Sequence, residues 1–488
     1  MKIDSVAASS ALQLPVYRQI YQRYRDSIAA GHLLPGDRVA SVRALAAELN
    51  LARGTVEAAY QMLIAEGYLL PRGPAGTVVS PHLSALPSAG EPPAAAPPLE
   101  PLLHNGERPL PLQMGLPALD AFPRKAWTRL AGRALRESGL DGLVYPDARG
   151  HGALRSAIAG YLGVSRGIAC SASQVFICAG YQACLDLICR SLMRQGDECW
   201  FEDPGYFQAR RFLHSAGARL VPVPVDAHGL DVDQGLERAP QARFAVVTPT
   251  HQSPLGVTLS LPRRQQLLRW AAQQQSWIIE DDYDSEYRYH GRPIPALKSL
   301  DNHGRVLYTG TFSKVLTPGI RLAYLVVPQE LVGLFTRMID TAQNHCPQLW
   351  QATAATFIDT GHFAKHLRKM RVLYAQRRAW LVEALHATLA GQLQVDIQAG
   401  GMHVVGRLAE GIDDRQVAYS ARLIGLAVQP LSAWYLAAPP QRALLMGFTN
   451  VRDASEAQHL AQRLGEICRD RHVFPAAFAS QPAPAGRS

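Results

Sequence analysis

The stretch Val306-Leu307-Tyr308-Thr309-Gly310-Thr311-Phe312-Ser313-Lys314, followed by Val315-Leu316-Thr317-Pro318-Gly319-Ile320-Arg321, decides the reading of this chain. Val306-Leu307-Tyr308 is an apolar burst without alternation, the pattern of a strand buried on both faces. Similar bursts stand at Gln174–Cys178, Arg243–Val247 and Trp277–Ile279. They alternate with longer helical stretches such as Leu185–Met193 and Arg263–Gln275. Such alternation predicts an α/β layer fold with a parallel or mostly parallel sheet. Ligands of such folds sit beyond the carboxyl ends of the strands. Lys314 and Arg321 follow one such end, and Asp281 closes another.

This residue set suits an aldehyde cofactor with a phosphate tail, pyridoxal phosphate. Four groups are needed: an amine for a Schiff base, a carboxylate for the pyridine nitrogen, phosphate donors and a stacking ring. Lys314 offers the amine and Asp281 the carboxylate. Tyr283 is close enough in sequence to hydrogen-bond the phenolic oxygen. Ala179-Gly180-Tyr181-Gln182 lies between a strand and a helix, where backbone N–H groups and the helix dipole favour an anion. Thr311, Ser313 and Arg321 add phosphate donors, and Tyr206, after Asp203-Pro204-Gly205, is placed to stack on the ring. The acidic run Glu280–Asp284 is equally the composition of a solvated loop or a metal site, and Tyr206 that of a core tyrosine.

The first 80 residues carry a different pattern. Val16, Ile20, Tyr24 and Ile28 recur every four residues, one face of a helix that Gly31 stops. Leu34-Pro35-Gly36-Asp37 is a turn, and Ser41 an N-cap for a second helix with Val42, Leu45 and Leu49 on one side. After Asn50-Leu51-Ala52 a third helix carries Val56, Tyr60 and Leu63 and ends at Gly67. Tyr68–Leu70, Gly73–Gly76 and Thr77–Val79 read as strand, turn, strand. Three helices and a hairpin make an α+β winged helix-turn-helix, or a small helical domain with no DNA role. In the first case Arg53 and Thr55 lead the helix entering the major groove, and Ser41 and Arg43 fix phosphates.

At 488 residues two or more domains are expected. The net charge of +9 permits a polyanionic partner, but residues 1–80 hold only eight Lys/Arg against six Asp/Glu. Nine prolines in residues 81–111 mark a linker between domains at 14–80 and 112–472. Its reach is at most roughly 95 Å. The Ala/Pro-rich tail, residues 473–488, is expected to be disordered. Seven cysteines without Cys-x-x-Cys spacing read as buried thiols, and no metal site is expected. No signal peptide and no run of ~20 apolar residues is present, so a cytoplasmic protein without membrane contact is expected.

The motifs, taken in order, resemble a known family. Gly115–Pro123, Tyr145–Arg155, His251-Gln252-Ser253-Pro254-Leu255-Gly256, Glu280–Tyr289 and Thr311–Arg321 are similar to the class I/II aminotransferases of pyridoxal-phosphate fold type I. Leu34–Val39 and Arg53–Tyr60 resemble the GntR winged helix. Joined by a Pro-rich linker, the two resemble the MocR-type regulators over residues 14–470. The resemblance implies a large mostly parallel sheet with helices on both faces and a small C-terminal subdomain. It implies Lys314 as the Schiff-base lysine, Asp281 on the ring nitrogen, Tyr283 on the phenolic oxygen, and Thr311, Arg321 and the Gly180-Tyr181-Gln182 turn around the phosphate. Tyr145 matches a tyrosine that reaches the phosphate of the other subunit, which implies a homodimer. Two positions depart: Ser253 stands before Pro254 in place of asparagine, and Leu445 holds the place of the arginine that clamps a substrate carboxylate, with Arg442 nearby. The resulting expectation is a regulator that binds a double-stranded operator and senses an amine, an amino acid or pyridoxal phosphate itself. The alternative is a working aminotransferase with an accessory DNA-binding domain; a half-reaction of transamination is within reach of the residue set.

Overall fold

The computed structural model describes residues 15–83, 108–140, 142, 144–291, 294–342 and 345–469. The chain divides into two units, Met1–Pro98 and Leu99–Ser488. Most of the expected linker and the whole tail at 473–488 lie outside the described residues. Residues 109–111, placed in the linker from sequence, already pack on the second unit: Ala427 N–H donates to the Pro111 carbonyl at 2.9 Å.

In the first unit, helices α1 (Val16–Ala29), α2 (Val42–Leu49) and α3 (Arg53–Ala65) precede strands β1 (Leu69–Pro71) and β2 (Thr77–Val79). Ser41 caps α2 by accepting the Ala44 N–H at 3.1 Å. Asn50 ends α2 in the left-handed conformation, which asparagine tolerates, and so makes the sharp turn into α3. The helices bury one stripe each, Ile20 and Tyr21 with Leu45, Val56, Tyr60 and Leu63, against Leu69 and Val79 of the hairpin. Val16, assigned to the inner face by its spacing, is 44 % exposed, because the buried stripe of α1 runs through Tyr21 instead. β1 and β2 pair antiparallel with Leu69 opposite Val79, a short wing. The unit is a winged helix-turn-helix.

In the second unit α4 (Arg124–Glu137) and α5 (Gly152–Arg166) lead into β3 (Val175–Cys178), α6 (Tyr181–Leu192), β4 (Glu198–Asp203) and α7 (Phe207–Ser215). Then come β5 (Arg219–Asp226), β6 (Gly229–Leu230), α8 (Val232–Arg238), β7 (Phe244–Val247), α9 (Leu261–Gln274), β8 (Trp277–Asp282), β9 (Val306–Thr311) and β10 (Ala323–Val326). The sheet order is β3-β10-β9-β8-β7-β4-β5-β6. The central strands β5, β4, β7, β8 and β9 run parallel, while β10 is antiparallel to both its neighbours and β6 to β5. Every residue of β3, β7 and β8 is buried, as strands covered on both faces must be.

After β10, helices α10 (Val332–Ala342), α11 (Gln348–Asp359) and the long α12 (His362–Thr388) carry the chain to a small subdomain. There β11 (Leu393–Asp396), β12 (His403–Leu408), α13 (Asp414–Leu423), β13 (Gln429–Pro430), β14 (Ala443–Gly447) and α14 (Ala454–Arg469) build an antiparallel sheet ordered β11-β12-β14-β13. Asp203, at the carboxyl end of β4, accepts the N–H groups of Leu436, Ala437 and Ala438 at 2.7–2.8 Å and so ties the subdomain to the large sheet. All seven cysteines are free, and six of them are buried. No helix among the described residues is long and apolar enough to cross a membrane.

Candidate functional site

The site lies where the sheet ends its parallel strands. β10 pairs Ala323 with Thr311 on one side and with Cys178 on the other. That register sets the end of β9, the end of β3 and the residue Arg321 at one level. Beyond β3, Gly180 (φ +104°) caps α6, and the Arg321 guanidinium lies across it, donating to the Ala179 carbonyl at 2.7 Å. A Cβ on Gly180 would come within 2.7 Å of Arg321 Nη2, so only glycine leaves this approach open. A helix N-terminus with an arginine across it and Thr311 and Ser313 at the next strand end is a cradle for an anion.

Lys314 closes the cradle. Its Nζ donates to the Gly115 carbonyl at 2.7 Å, and a Cβ on Gly115 would lie 3.0 Å from that nitrogen. Burial pulls the amine below its ordinary range, and the Asp284 and Asp281 carboxylates act against that shift. A lysine so placed has a larger neutral fraction, the form that attacks a carbonyl carbon. Asp281 is buried at the end of β8; burial first, then the charge of Asp282, pushes its carboxyl up to about 8. Tyr181 projects a buried hydroxyl with no well-formed hydrogen bond toward Asp281, and the Tyr206 ring stands 6.3 Å from the Tyr181 ring. Tyr206 feels both Asp281 and Arg321, and burial raises its phenol. Tyr283 lies beyond Asp281, facing Ser253 and 3.0 Å from His251 Nδ1.

The structure thus brings together Lys314, Asp281, Tyr283, Ser253, Tyr181, Tyr206, Gly180, Thr311, Ser313 and Arg321. Gln182 is exposed on the first turn of α6. Ser253 is buried, its N–H on Thr248 Oγ1 at 3.1 Å. Its neighbour Gln252 is spent on Glu202, Pro204 and its own chain, so it does not replace the asparagine that Ser253 displaces. Tyr145 is 92 % exposed and faces His345. Arg442 is not drawn into the site: it is exposed just before β14, 3.9 Å from Asp413. Leu445 sits in an apolar cluster with Met114, Phe207, Val405 and Trp434, so a buried carboxylate clamp is not built there. In the first unit Arg43 and Arg53 are exposed at the starts of α2 and α3, and Thr55 is half-buried.

Sequence reasoning missed Gly115 as the lysine's partner, and it passed over His251 and Asp284 although both stood in quoted motifs. It also missed the buried pair beneath the site, Arg166 with Asp282 at 2.7 Å, because residues 116 positions apart carry no local signal. Asp282 also accepts the Tyr308 hydroxyl at 2.5 Å. The carboxylates of the acidic run, Glu280, Asp281, Asp282 and Asp284, are all buried, so the run is not a solvated loop.

One pH effect follows from Asp281. Its folded-state pKa stands above the ordinary carboxylate value, so its contribution to stability is full in acid and is lost as pH rises to about 8. In the cofactor-free protein, Asp281→Asn removes that loss. The variant is expected to gain on the parent steadily from about pH 4 to about pH 8. Urea midpoints across that range check it, and parallel curves would contradict it.

A sheet-edge lysine between two carboxylates, with a glycine–arginine anion cradle, defines an aminotransferase-type pyridoxal-phosphate domain, here carried behind a winged helix. Residues 117–442 match the family "Aminotransferase class I and II" and residues 16–79 "Bacterial regulatory proteins, gntR family". The probable rhizopine catabolism regulatory protein MocR of Rhizobium meliloti is 38 % identical over 449 residues, covering 90 % of this chain and 91 % of that protein. The pyridoxine biosynthesis regulator PdxR of Corynebacterium glutamicum is 31 % identical, covering 88 % and 91 %. The crystal structure of Pyrococcus horikoshii kynurenine aminotransferase superposes with a TM-score of 0.68 at 28 % identity, over 74 % of this chain and 91 % of that one. The chain belongs to the MocR-type transcriptional regulators, GntR-family proteins with a class I and II aminotransferase domain.

Proposed function

We propose that this regulator holds pyridoxal phosphate on Lys314 and uses it to sense an amine, an amino acid or the cofactor itself, changing its hold on operator DNA. The observation that carries the reading is the seating of Lys314: a buried amine on the Gly115 carbonyl, between Asp281 and Asp284. When bound, the cofactor supplies an aldehyde that captures primary amines and a ring that accepts electrons. The chain's own residues do the rest. Asp281 would hold the ring nitrogen's proton, and that cation would keep the carboxylate ionised in spite of its burial. Gly180, Thr311, Ser313 and Arg321 would bind the phosphate, Tyr206 would cover the ring, and Tyr283 with Ser253 would face the phenolic oxygen. In a cytoplasmic homodimer, Tyr145 of each chain would reach the other chain's phosphate.

The apolar surroundings of Leu445 and the outward position of Arg442 favour sensing over sustained transamination, because no guanidinium stands ready for a substrate carboxylate there. DNA contact would run through Ser41, Arg43, Arg53 and Thr55. Arg43→Ala is expected to weaken binding to the protein's own upstream DNA and to lower the slope of log K against log salt by about one. Fluorescence anisotropy at several salt concentrations tests this; unchanged affinity and slope would remove Arg43 from the contact surface. Steady transamination by a protein that does not bind DNA would overturn the regulatory reading of the site.

A further inference from the structure

His251 and Asp284 are buried; Asp284 acts on Lys314 only through its charge, and His251 has no role in holding the cofactor. His251 precedes Gln252-Ser253-Pro254, and Asp284 follows Tyr283 in the turn after β8. The His251 Nδ1 atom is hydrogen-bonded to the Tyr283 hydroxyl at 3.0 Å. Asp284 Oδ2 lies 3.0 Å from the same nitrogen without hydrogen-bond geometry, and both Asp284 oxygens are buried with no hydrogen-bond donor among the described residues. The ring has no freedom to turn away. A Cβ on Gly401 would lie 2.3 Å from its Cε1, and one on Gly256 would lie 3.0 Å from its Nε2. Both glycines have positive φ, +93° and +74°. Two glycines are thus needed to pass the backbone over this imidazole.

The other groups facing the pair do not take its proton. His403, from β12, donates Nε2 to the Pro254 carbonyl at 2.8 Å, and burial pushes it down to about 4, so it is neutral. Lys314 and Asp281 lie farther along the same wall, and Tyr289 faces Asp284 from the next turn. Burial, then the Asp284 and Asp281 charges, raise Tyr283 well above the usual phenol range, so it keeps its proton.

We propose that Asp284 and His251 are positioning residues that fix the direction of the Tyr283 hydroxyl proton. A carboxylate oxygen 3.0 Å from Nδ1 repels a lone pair on that nitrogen and favours the proton there. Tyr283, the hydrogen-bond partner of that nitrogen, then accepts from its N–H. Its own O–H is left to donate to the phenolic oxygen of pyridoxal phosphate on Lys314. Without the carboxylate, Nδ1 is free to accept, and the Tyr283 proton turns inward. This inference rests on the proposed cofactor reading and adds to it the device that sets the donor.

The test is the pH midpoint of the visible absorbance of the full-length protein loaded with pyridoxal phosphate. A hydrogen bond donated to the phenolic oxygen weakens that oxygen's hold on the proton of the neighbouring linkage nitrogen. Losing it raises the midpoint. Tyr283→Phe and Asp284→Asn are each expected to raise it by about one unit, a tenfold change in proton affinity. Asp284→Asn is expected to add no further rise in the Tyr283→Phe background. His251→Asn, whose amide N–H replaces Nδ1–H, is expected to keep the parent midpoint. Loss of the Asp284 charge alone acts in the opposite direction, since a nearby anion favours the protonated linkage. An unchanged or lowered midpoint in Asp284→Asn overturns the proposal. If Asp284→Asn does not fold, Asp284→Ala reads the same arrangement: a raised midpoint supports it, and an unchanged or lowered one overturns it. A parent protein with no visible band under excess cofactor overturns the cofactor reading itself, and with it this inference.

Discussion

Replacement of Lys314 by alanine is expected to abolish the visible absorbance of the protein incubated with pyridoxal phosphate and to leave no cofactor bound after denaturing gel filtration. Nζ stands against the Gly115 carbonyl with Asp281 and Asp284 as the facing charges. Covalent attachment needs a neutral amine, and the burial that lowers this lysine supplies it. The substitution removes one neutral-acceptor hydrogen bond and a buried ammonium whose desolvation opposes folding. It is therefore expected to change stability by no more than about 1 kcal/mol. Both units should keep their circular dichroism. A covalent band persisting in Lys314→Ala would mean that another lysine carries the cofactor, and the site assignment would fall.

The second large effect lies beneath the site. Arg166 closes α5 and reaches Asp282 with two nitrogens at 2.7–2.8 Å, Thr250 Oγ1 at 2.9 Å and the Ile294 carbonyl at 2.8 Å. Both partners are buried. Arg166→Met leaves the buried Asp282 carboxylate without its cation, beside Asp281 and Glu280, with the Tyr308 hydroxyl as its remaining hydrogen-bond donor among the described residues. Breaking such a pair from one side costs about 3–5 kcal/mol. The exposed pair Arg133–Glu137 is the control: Arg133→Ala is expected to cost less than about 0.5 kcal/mol. Urea midpoints of the three proteins check the contrast, and equal losses would contradict the burial argument.

These two cases show what the linear sequence carried. Lys314 and Asp281 were legible because each sits directly after a short uninterrupted apolar burst, so its place at a strand end follows from local pattern. Gly180 was legible for the same reason, and Arg321 as the arginine seven residues after Lys314 in one motif. The winged helix was legible because its helices are short, amphipathic and capped by local residues, Ser41 among them. Arg166 was not, because its partner is 116 positions away and its charge in an apolar helix reads as surface. β10 was not anticipated as an antiparallel insertion between β3 and β9, since burial on both faces erases any signal of strand direction. His251 stood in a quoted motif, but its value depends on two glycines, 256 and 401, of which the second is contributed by a different subdomain. Tyr283 was read as a donor from proximity and from the resemblance; the histidine hydrogen-bonded to it and the carboxylate 3.0 Å from the same ring nitrogen are visible only in three dimensions.

The second departure from the aminotransferase pattern gains meaning in the same way. Leu445 is not a surface replacement of an arginine but part of a packed cluster that includes Trp434 and Phe207. Restoring an arginine there would bury an unpaired charge. The second unit thus carries the residues proposed to attach a cofactor, while the wall that would grip a substrate carboxylate is apolar.

The central claim is that chemistry at Lys314 alters the grip on DNA. A ligand does so only if it favours one arrangement of the protein over another. The most direct measurement is the affinity of the full-length protein for its own upstream DNA, at fixed salt, with and without pyridoxal phosphate and a panel of primary amines and amino acids. It is made in parallel on the parent and on Lys314→Ala. The expected result is an affinity that moves at least fivefold with cofactor or amine in the parent, about 1 kcal/mol of coupling, and does not move in the variant. Equal affinities in every arm, with the cofactor demonstrably bound, would contradict the account.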